Sequence, residues 1–351
     1  MNNYYDYAAS TPVSEASLTA MQTWQSENFA NPSADHAEGV KASQAIQKAR
    51  EIIADKIGAM PSEIIFTSGA SEANNLAIKG VAFQFLNEKC HIITSSIEHK
   101  CVLNTCNFLE QLGFEVTYIN PNSDGYISPN TVKNAIKENT KLISIHHVNN
   151  ELGTIQPISE FGEIAIDNGI LFHTDAAQSF CKLDIDVDDM DVDMLSLSGH
   201  KIYGPKGIGA LYVRDARNSN LVPLIHGGGQ ELGLRGGTSP TPLIVGLAAA
   251  VDFFPESGVE ALESIKEKLC RYSYVRNGGS DVLPTIFNVT FSSLEEVTQF
   301  KEDYPWLISQ GSACNAMSNI ASHVLSNIGL TEEEARRTYR ISLPPFRSAT
   351  R

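Results

Sequence analysis

Short, nearly continuous apolar runs alternate along most of this chain with longer segments of helical spacing. The runs predict strands at EIIFTS (63–68), HIITSS (91–96), FEVTYIN (114–120), KLISIHHV (141–148), GILFHTD (169–175), DMLSLSG (193–199) and GIGALYV (207–213). Helices are predicted between most of them, at 71–86, 100–113, 128–139 and 158–169. Strands that are apolar on both faces, separated by helices, imply a mostly parallel sheet covered on both sides. The last two runs are joined only by HKIYGPK, too short for a helical crossover, so that pair is expected to be antiparallel. After about residue 250 the rhythm changes. GVEALESIKEKLCRY reads as a helix and TIFNVTF as a strand; a Gly/Ser/Asn-rich stretch around Cys314 follows, then two short helical patterns. The pattern predicts an α/β fold: a large domain over 12–250, with a mixed seven-stranded sheet, and a smaller α+β domain from 1–11 and 251–351.

Composition narrows the function. The chain has 351 residues, 42% of them hydrophobic, which is enough for a substantial core. Its 26 Lys and Arg against 41 Asp and Glu give a net charge of -15. That excess argues against direct binding to nucleic acid or to an anionic membrane. No apolar stretch approaches transmembrane length, and MNNYYDYAASTPVS lacks the basic and apolar regions of a secretory signal. The six cysteines form no C-x-x-C pair, so no metal site is expected. Scattered thiols without a signal point to a reducing, cytoplasmic setting.

The candidate chemistry sits at strand ends, where open α/β sheets bind their ligands. Thr67-Ser68-Gly69-Ala70-Ser71 ends a strand and opens a helix. Alone it would be a plain N-cap on Ser71, but helix-start amides among hydroxyls also cradle phosphate. His99, Asn149 with Asn150, Asp175 with Gln178, and Ser198 with His200 and Lys201 follow other runs. Together they meet the needs of pyridoxal phosphate, which requires an amine to bond its aldehyde and an acid beside its ring nitrogen. Lys201 can be the amine and Asp175 the acid. Ser71, Ser198 and His200 can hold the phosphate, His99 can stack on the ring, and Gln178 and Asn150 can reach the phenolic oxygen.

The chain also resembles the cysteine desulfurases, within the class V aminotransferase group of fold-type I pyridoxal phosphate enzymes. The stretches that carry the likeness include YYDYAASTPV, FANPSADHAEG, IIFTSGASEANNLAIKG, EHKCVL, HVNNELGTIQPI, FHTDAAQS, SLSGHKIYGPKGIGALYVR, GGGQELGLRGGT and GSACNA. They run in family order and span nearly the whole chain. The resemblance implies that Lys201 bonds the cofactor, Asp175 pairs with the pyridine nitrogen, and His99 stacks on the ring and moves protons. It places Ala70 and Ser71 in the cofactor site. It implies that Thr238 reaches a partner subunit's phosphate in a homodimer, that Arg340 clamps the substrate carboxylate, and that Asn31 and Asn150 lie in the substrate site.

A lone cysteine is ordinarily a buried packing residue. Around Cys314, however, small and polar residues dominate and no apolar periodicity begins before Ile320. The GSAC motif resembles the longer-loop desulfurases, in which such a thiol takes sulfur from L-cysteine as a persulfide and delivers it to an acceptor protein. Iron–sulfur assembly, tRNA thiolation and DNA phosphorothioation are all served by this family. Where relatives continue past their arginine with a Gly-Arg-Phe-like turn and further helices, this sequence reads SLPPFRSATR, which predicts weak binding to an iron–sulfur scaffold and a dedicated acceptor instead. Rival readings are a selenocysteine lyase, an aminotransferase, or a silent binding subunit. The intact Lys201, Asp175, His99 and Cys314 argue against the last.

Overall fold

The computed structural model describes residues 3–310 and 322–348. Each of the seven apolar runs forms a strand of one sheet: β1 (Ile64–Thr67), β2 (His91–Ser95), β3 (Glu115–Ile119), β4 (Thr140–Ser144), β5 (Leu171–Asp175), β6 (Met194–Ser198) and β7 (Gly209–Val213). Their order is β1-β7-β6-β5-β4-β2-β3. β7 runs antiparallel to both neighbours, while the pairs from β6 to β3 are parallel. The short β6–β7 connection therefore makes the antiparallel pair expected of it.

Alternation along the strands sorts side chains to two faces. Ile65, Ile92, Leu142 and Leu211 pack with Leu76, Val102 and Leu109 from α3 (Ala70–Ala82) and α4 (Lys100–Gln111). Their neighbours Ile64, Phe66, Ile93, Ile143 and Tyr212 face the other way. They meet Ile46 of α2 (Ala37–Asp55), Phe161 of α6 (Ile158–Asn168) and Leu247 of α7 (Thr241–Asp252). Burying each such side chain contributes roughly 1.5–3 kcal/mol, so the sheet is a rigid platform. α1 (Glu15–Ser26) packs on α7 and is N-capped by Ser14, whose hydroxyl accepts from the Ser17 amide.

Two helices differ from expectation. α3 begins at Ala70 with Gly69, not Ser71, as N-cap, and it passes into a 3-10 turn at Phe83–Phe85. The helix expected at 128–139 is only α5 (Pro129–Asn134), because the Thr140 hydroxyl captures the Lys137 amide at 2.8 Å and turns the chain into β4. α6 ends where expected, on Gly169 in the left-handed conformation at φ 65°.

A second, antiparallel sheet has the order β10-β9-β8, with β8 (Tyr274–Asn277), β9 (Ile286–Phe291) and β10 (Thr338–Ser342). It packs Phe287, Phe291 and Ile341 with Ile265 and Leu269 of α8 (Val259–Leu269) and Phe300 of α9 (Leu294–Asp303). α10 (His323–Asn327) and α11 (Glu332–Arg336) precede β10. The first residues of the chain join the two sheets. Tyr5 donates to Leu307 O and accepts from Ser342 N, Ala8 N donates to Ser342 Oγ at 2.9 Å, and Thr11 N donates to His200 O. The last described residues fold back the other way: Tyr203 Oη donates to Pro345 O, and Ser348 N to Lys182 O at 2.7 Å. Among the described residues no helix is long and apolar enough to cross a membrane.

Candidate active site

β1, β5 and β6 end at one rim, and β7 starts there, with Gly209 opposite both Thr67 and Ser198. A Cβ at Gly209 would lie 2.7 Å from Gly69 Cα and 2.4 Å from Leu197 O. Only glycine lets the turn into α3 lie against β7. Gly69 itself sits at φ 149°, which an L-residue adopts only under strain. The start of α3 is thereby aimed over the rim, and its first amides have no partner within the helix.

A cavity of about 490 Å³ lies above this rim, a size typical of small-molecule sites. Lys201, Asp175, His99 and Arg340 line it. So do Ala70, Ser71, Ser198, His200, Gln178 and Asn150, each singled out from the sequence. Asn31 and Thr238 are exposed and do not line it. Cys314 lies outside the described residues.

Lys201 closes a 3-10 turn after β6, and its Nζ donates to Ala8 O at 2.6 Å and to Ala9 O at 2.8 Å. Asp175 is 8% exposed; Oδ1 accepts from Ala177 N at 2.9 Å and Oδ2 from Asn74 Nδ2 at 2.7 Å. His99 caps α4, and its Nδ1 accepts from Cys101 N at 3.2 Å, which fixes the plane of the ring. Burial lowers the proton affinity of His99. Asp175 opposes this and Lys201 adds to it, so the ring is neutral at pH 7 and able to accept a proton. His200 is pushed down to about 4 by burial and by Lys201, Lys206 and Lys182, and it meets Ser10 Oγ at 3.3 Å. Arg340, 1% exposed on β10, donates to Asp6 Oδ1 at 2.6 Å and to Asn150 O at 2.8 Å.

Several of these partners carry no side-chain signal. The carbonyls of Ala8 and Ala9 lie in YYDYAAS, a stretch that sequence reasoning marks without assigning it a task. Asn74 could have been found: it stands three residues after Ser71 on a helix, and so on the same face. Cys101 reads from the sequence as a packing residue. It lines the cavity, and burial first, then Asp175, pushes its thiol up to about 12, so it stays protonated.

The donor set fits pyridoxal phosphate. An amine, a carboxylate held by two donors, a neutral imidazole and an open helix start converge on one cavity, with a glycine where backbone must approach closely. Among the described residues no cluster of His, Cys, Asp and Glu could hold a metal ion.

Residues 3–344 match the pattern of the Aminotransferase class-V family. The "Cysteine desulfurase IscS" of Rickettsia rickettsii (strain Iowa) is 43% identical over 355 residues, covering 98% of this chain and 86% of the relative. Among solved structures, "SspA in complex with cysteine" has a TM-score of 0.97 and 67% identity, covering 99% of this chain and 100% of that one. DndA from Streptomyces lividans has a TM-score of 0.80 and 36% identity, over 97% of this chain and 99% of its own.

Proposed function

We propose that this chain, which belongs to the aminotransferase class-V family and is a pyridoxal phosphate-dependent cysteine desulfurase, moves sulfur from L-cysteine to Cys314 and then to an acceptor protein. The observation that carries this reading is the convergence of Lys201, Asp175, His99 and Arg340 on one cavity.

When bound, pyridoxal phosphate supplies an electron sink for the charge left at the substrate α-carbon. Lys201 would bond it, Asp175 would face its ring nitrogen and His99 its ring. The start of α3 at Ala70 and Ser71, with Ser198 and His200, would hold its phosphate. Gln178 and Asn150 would reach its phenolic oxygen.

In this reading Arg340 orients the substrate through its carboxylate, with Asn150 beside it; Asn31, which the resemblance places in the substrate site, lies outside the cavity. Lys201 Nζ takes the α-proton. The Ala8 and Ala9 carbonyls, both acceptors, then hold the resulting ammonium. Neutral His99 shuttles protons in these steps, as an imidazole near its working range can. The Cys314 thiolate attacks the substrate sulfur. One S–S bond forms, the Cβ–S bond breaks, and Cβ keeps the electron pair and gains a proton. L-Cysteine and a thiol thus become L-alanine and a persulfide, the sulfur oxidised and Cβ reduced.

The acceptor is a protein in this proposal, since a chain of net charge -15 is repelled by phosphate backbones. A nucleic-acid-modifying sulfurtransferase is favoured over an iron–sulfur scaffold. Support comes from Pro344-Pro345 and from the fold-back of this segment onto Tyr203 and Lys182. Cys314→Ala is expected to keep its yellow cofactor and to bind cysteine while releasing no sulfur. Protein loaded with labelled cysteine should pass label to a modification enzyme in preference to a scaffold. Sulfur release by Cys314→Ala, or faster transfer to the scaffold, would refute the respective step.

The working form is proposed to be a homodimer in which exposed Thr238 completes the neighbour's phosphate site. The loop bearing it is pinned to α3 by Arg235 Nε on Glu72 Oε1 at 2.9 Å. Light scattering is expected to give twice the chain mass, and a fully active monomer would exclude the shared site.

A further inference from the structure

Lys182 is only 3% exposed, follows β5 by seven residues, and has no task in the chemistry above. Its amine donates to Gln178 Oε1 at 2.9 Å. Among the described residues no carboxylate pairs with it. Burying an amine without a counter-ion is unfavourable, and an apolar side chain of the same length would fill the space without that penalty. Burial first, then the charge of Lys201, lowers its proton affinity to about 7.

The amide of Gln178 shows what the amine does. Its other end, Nε2, donates to Ala8 O at 2.8 Å. That carbonyl also accepts from Lys201 Nζ at 2.6 Å. An amide can be turned end for end within the same shape, so its partners decide its orientation. Ala8 O can only accept, so the atom facing it must be the nitrogen. Lys182, charged or neutral, offers N–H groups to the oxygen. Both ends therefore specify one orientation, and the second N–H of Nε2 remains as a donor for the cavity that Gln178 lines. Lys182 is itself anchored, because its carbonyl accepts from Ser348 N at 2.7 Å.

We propose that Lys182 is a positioning residue for the cofactor. It locks Gln178 with its amide nitrogen toward the cavity, so that the site presents a donor to the phenolic oxygen of pyridoxal phosphate, while Gln178 shares the Ala8 carbonyl with Lys201. This deepens the reading of the cavity as the pyridoxal phosphate site and rests on it.

The test is a double-mutant cycle read as cofactor affinity. Apo protein, stripped of cofactor, is titrated with pyridoxal phosphate and followed by absorbance. Lys182→Met is expected to weaken binding about tenfold, the scale of one hydrogen bond involving a charged group. Gln178→Ala should lose a similar factor, and the double variant should bind no more weakly than Gln178→Ala alone. A buried lysine serving only stability would give penalties that multiply. If Lys182→Met does not fold, the cycle is run with Lys182→Gln, whose shorter side chain leaves the Gln178 oxygen unreached, with the same expectation. Wild-type affinity in the Lys182 variant, or multiplying penalties, overturns the proposal while wild-type protein still binds the cofactor. Failure of the wild type to bind pyridoxal phosphate overturns the cavity reading and the proposal with it.

Discussion

In Lys201→Ala, borohydride is expected to fix no pyridoxal phosphate to the chain and cysteine turnover to fall by ~10³-fold or more, since the proposed reading gives Lys201 both covalent capture and the general base. The expectation comes from placement. Lys201 follows a fully buried strand, and two backbone carbonyls hold its amine inside the cavity. Two other lysines come near. Lys206 also lines the cavity but is exposed to solvent, and Lys182 is tied behind Gln178. Peptide mapping of reduced wild-type protein should recover the label on Lys201 alone. Label on Lys206, or a yellow and active Lys201→Ala protein, would overturn the assignment.

Asp175→Asn is expected to lower turnover by ~10²-fold, or about 2.7 kcal/mol of barrier, because the negative charge that keeps a ring nitrogen protonated is gone. The fold should survive. Asn74 donates Nδ2 to Asp175, and its own Oδ1 is buried without a partner. Turning the Asn74 amide presents that oxygen to the N–H of the introduced side chain, so the contact is kept and only the charge is lost. The turned amide gives up its 3.2 Å contact to Cys101 Sγ, a weak bond. Thermal unfolding should therefore change far less in Asp175→Asn than in Asp175→Ala, which leaves the Ala177 amide unpaired and Asn74 with only its weak contact to Cys101 Sγ. Near-native turnover in Asp175→Asn would count against the acid's role.

The large sheet was legible because most of its strands are buried on both faces and so read as nearly continuous apolar runs, while the edge strand β3 is only half-buried. The ligand rim was legible for the same reason: the runs stop abruptly at Thr67, Asp175 and Ser198. What stayed hidden has its own physical causes. β10 carries Arg340 and Thr338 among its buried residues, so the polar side chain that makes the strand interesting also breaks its apolar signature. α2 buries Ala42, Ile46, Ala49 and Ile53 at helical spacing, but the small alanines weaken the signal. Ala8 and Ala9 act through carbonyls that every residue possesses. Lys182 looks like a surface charge until β5 and the turn after it are folded around it.

The stitching of residues 5–11 also dictates when the site can exist during synthesis. Ala8, which shares its carbonyl between Lys201 and Gln178, is itself held by Ser342, 334 positions later. Such contacts close only after nearly the whole chain has left the ribosome, because the intervening loop must be ordered first. The large sheet can form earlier, since all its strands lie before residue 214. A nascent chain arrested before β10 would thus display a folded platform whose Ala8 carbonyl lacks its anchor. Cofactor capture is therefore expected to wait for β10, and protein truncated before it is expected to be colourless with most of its core in place.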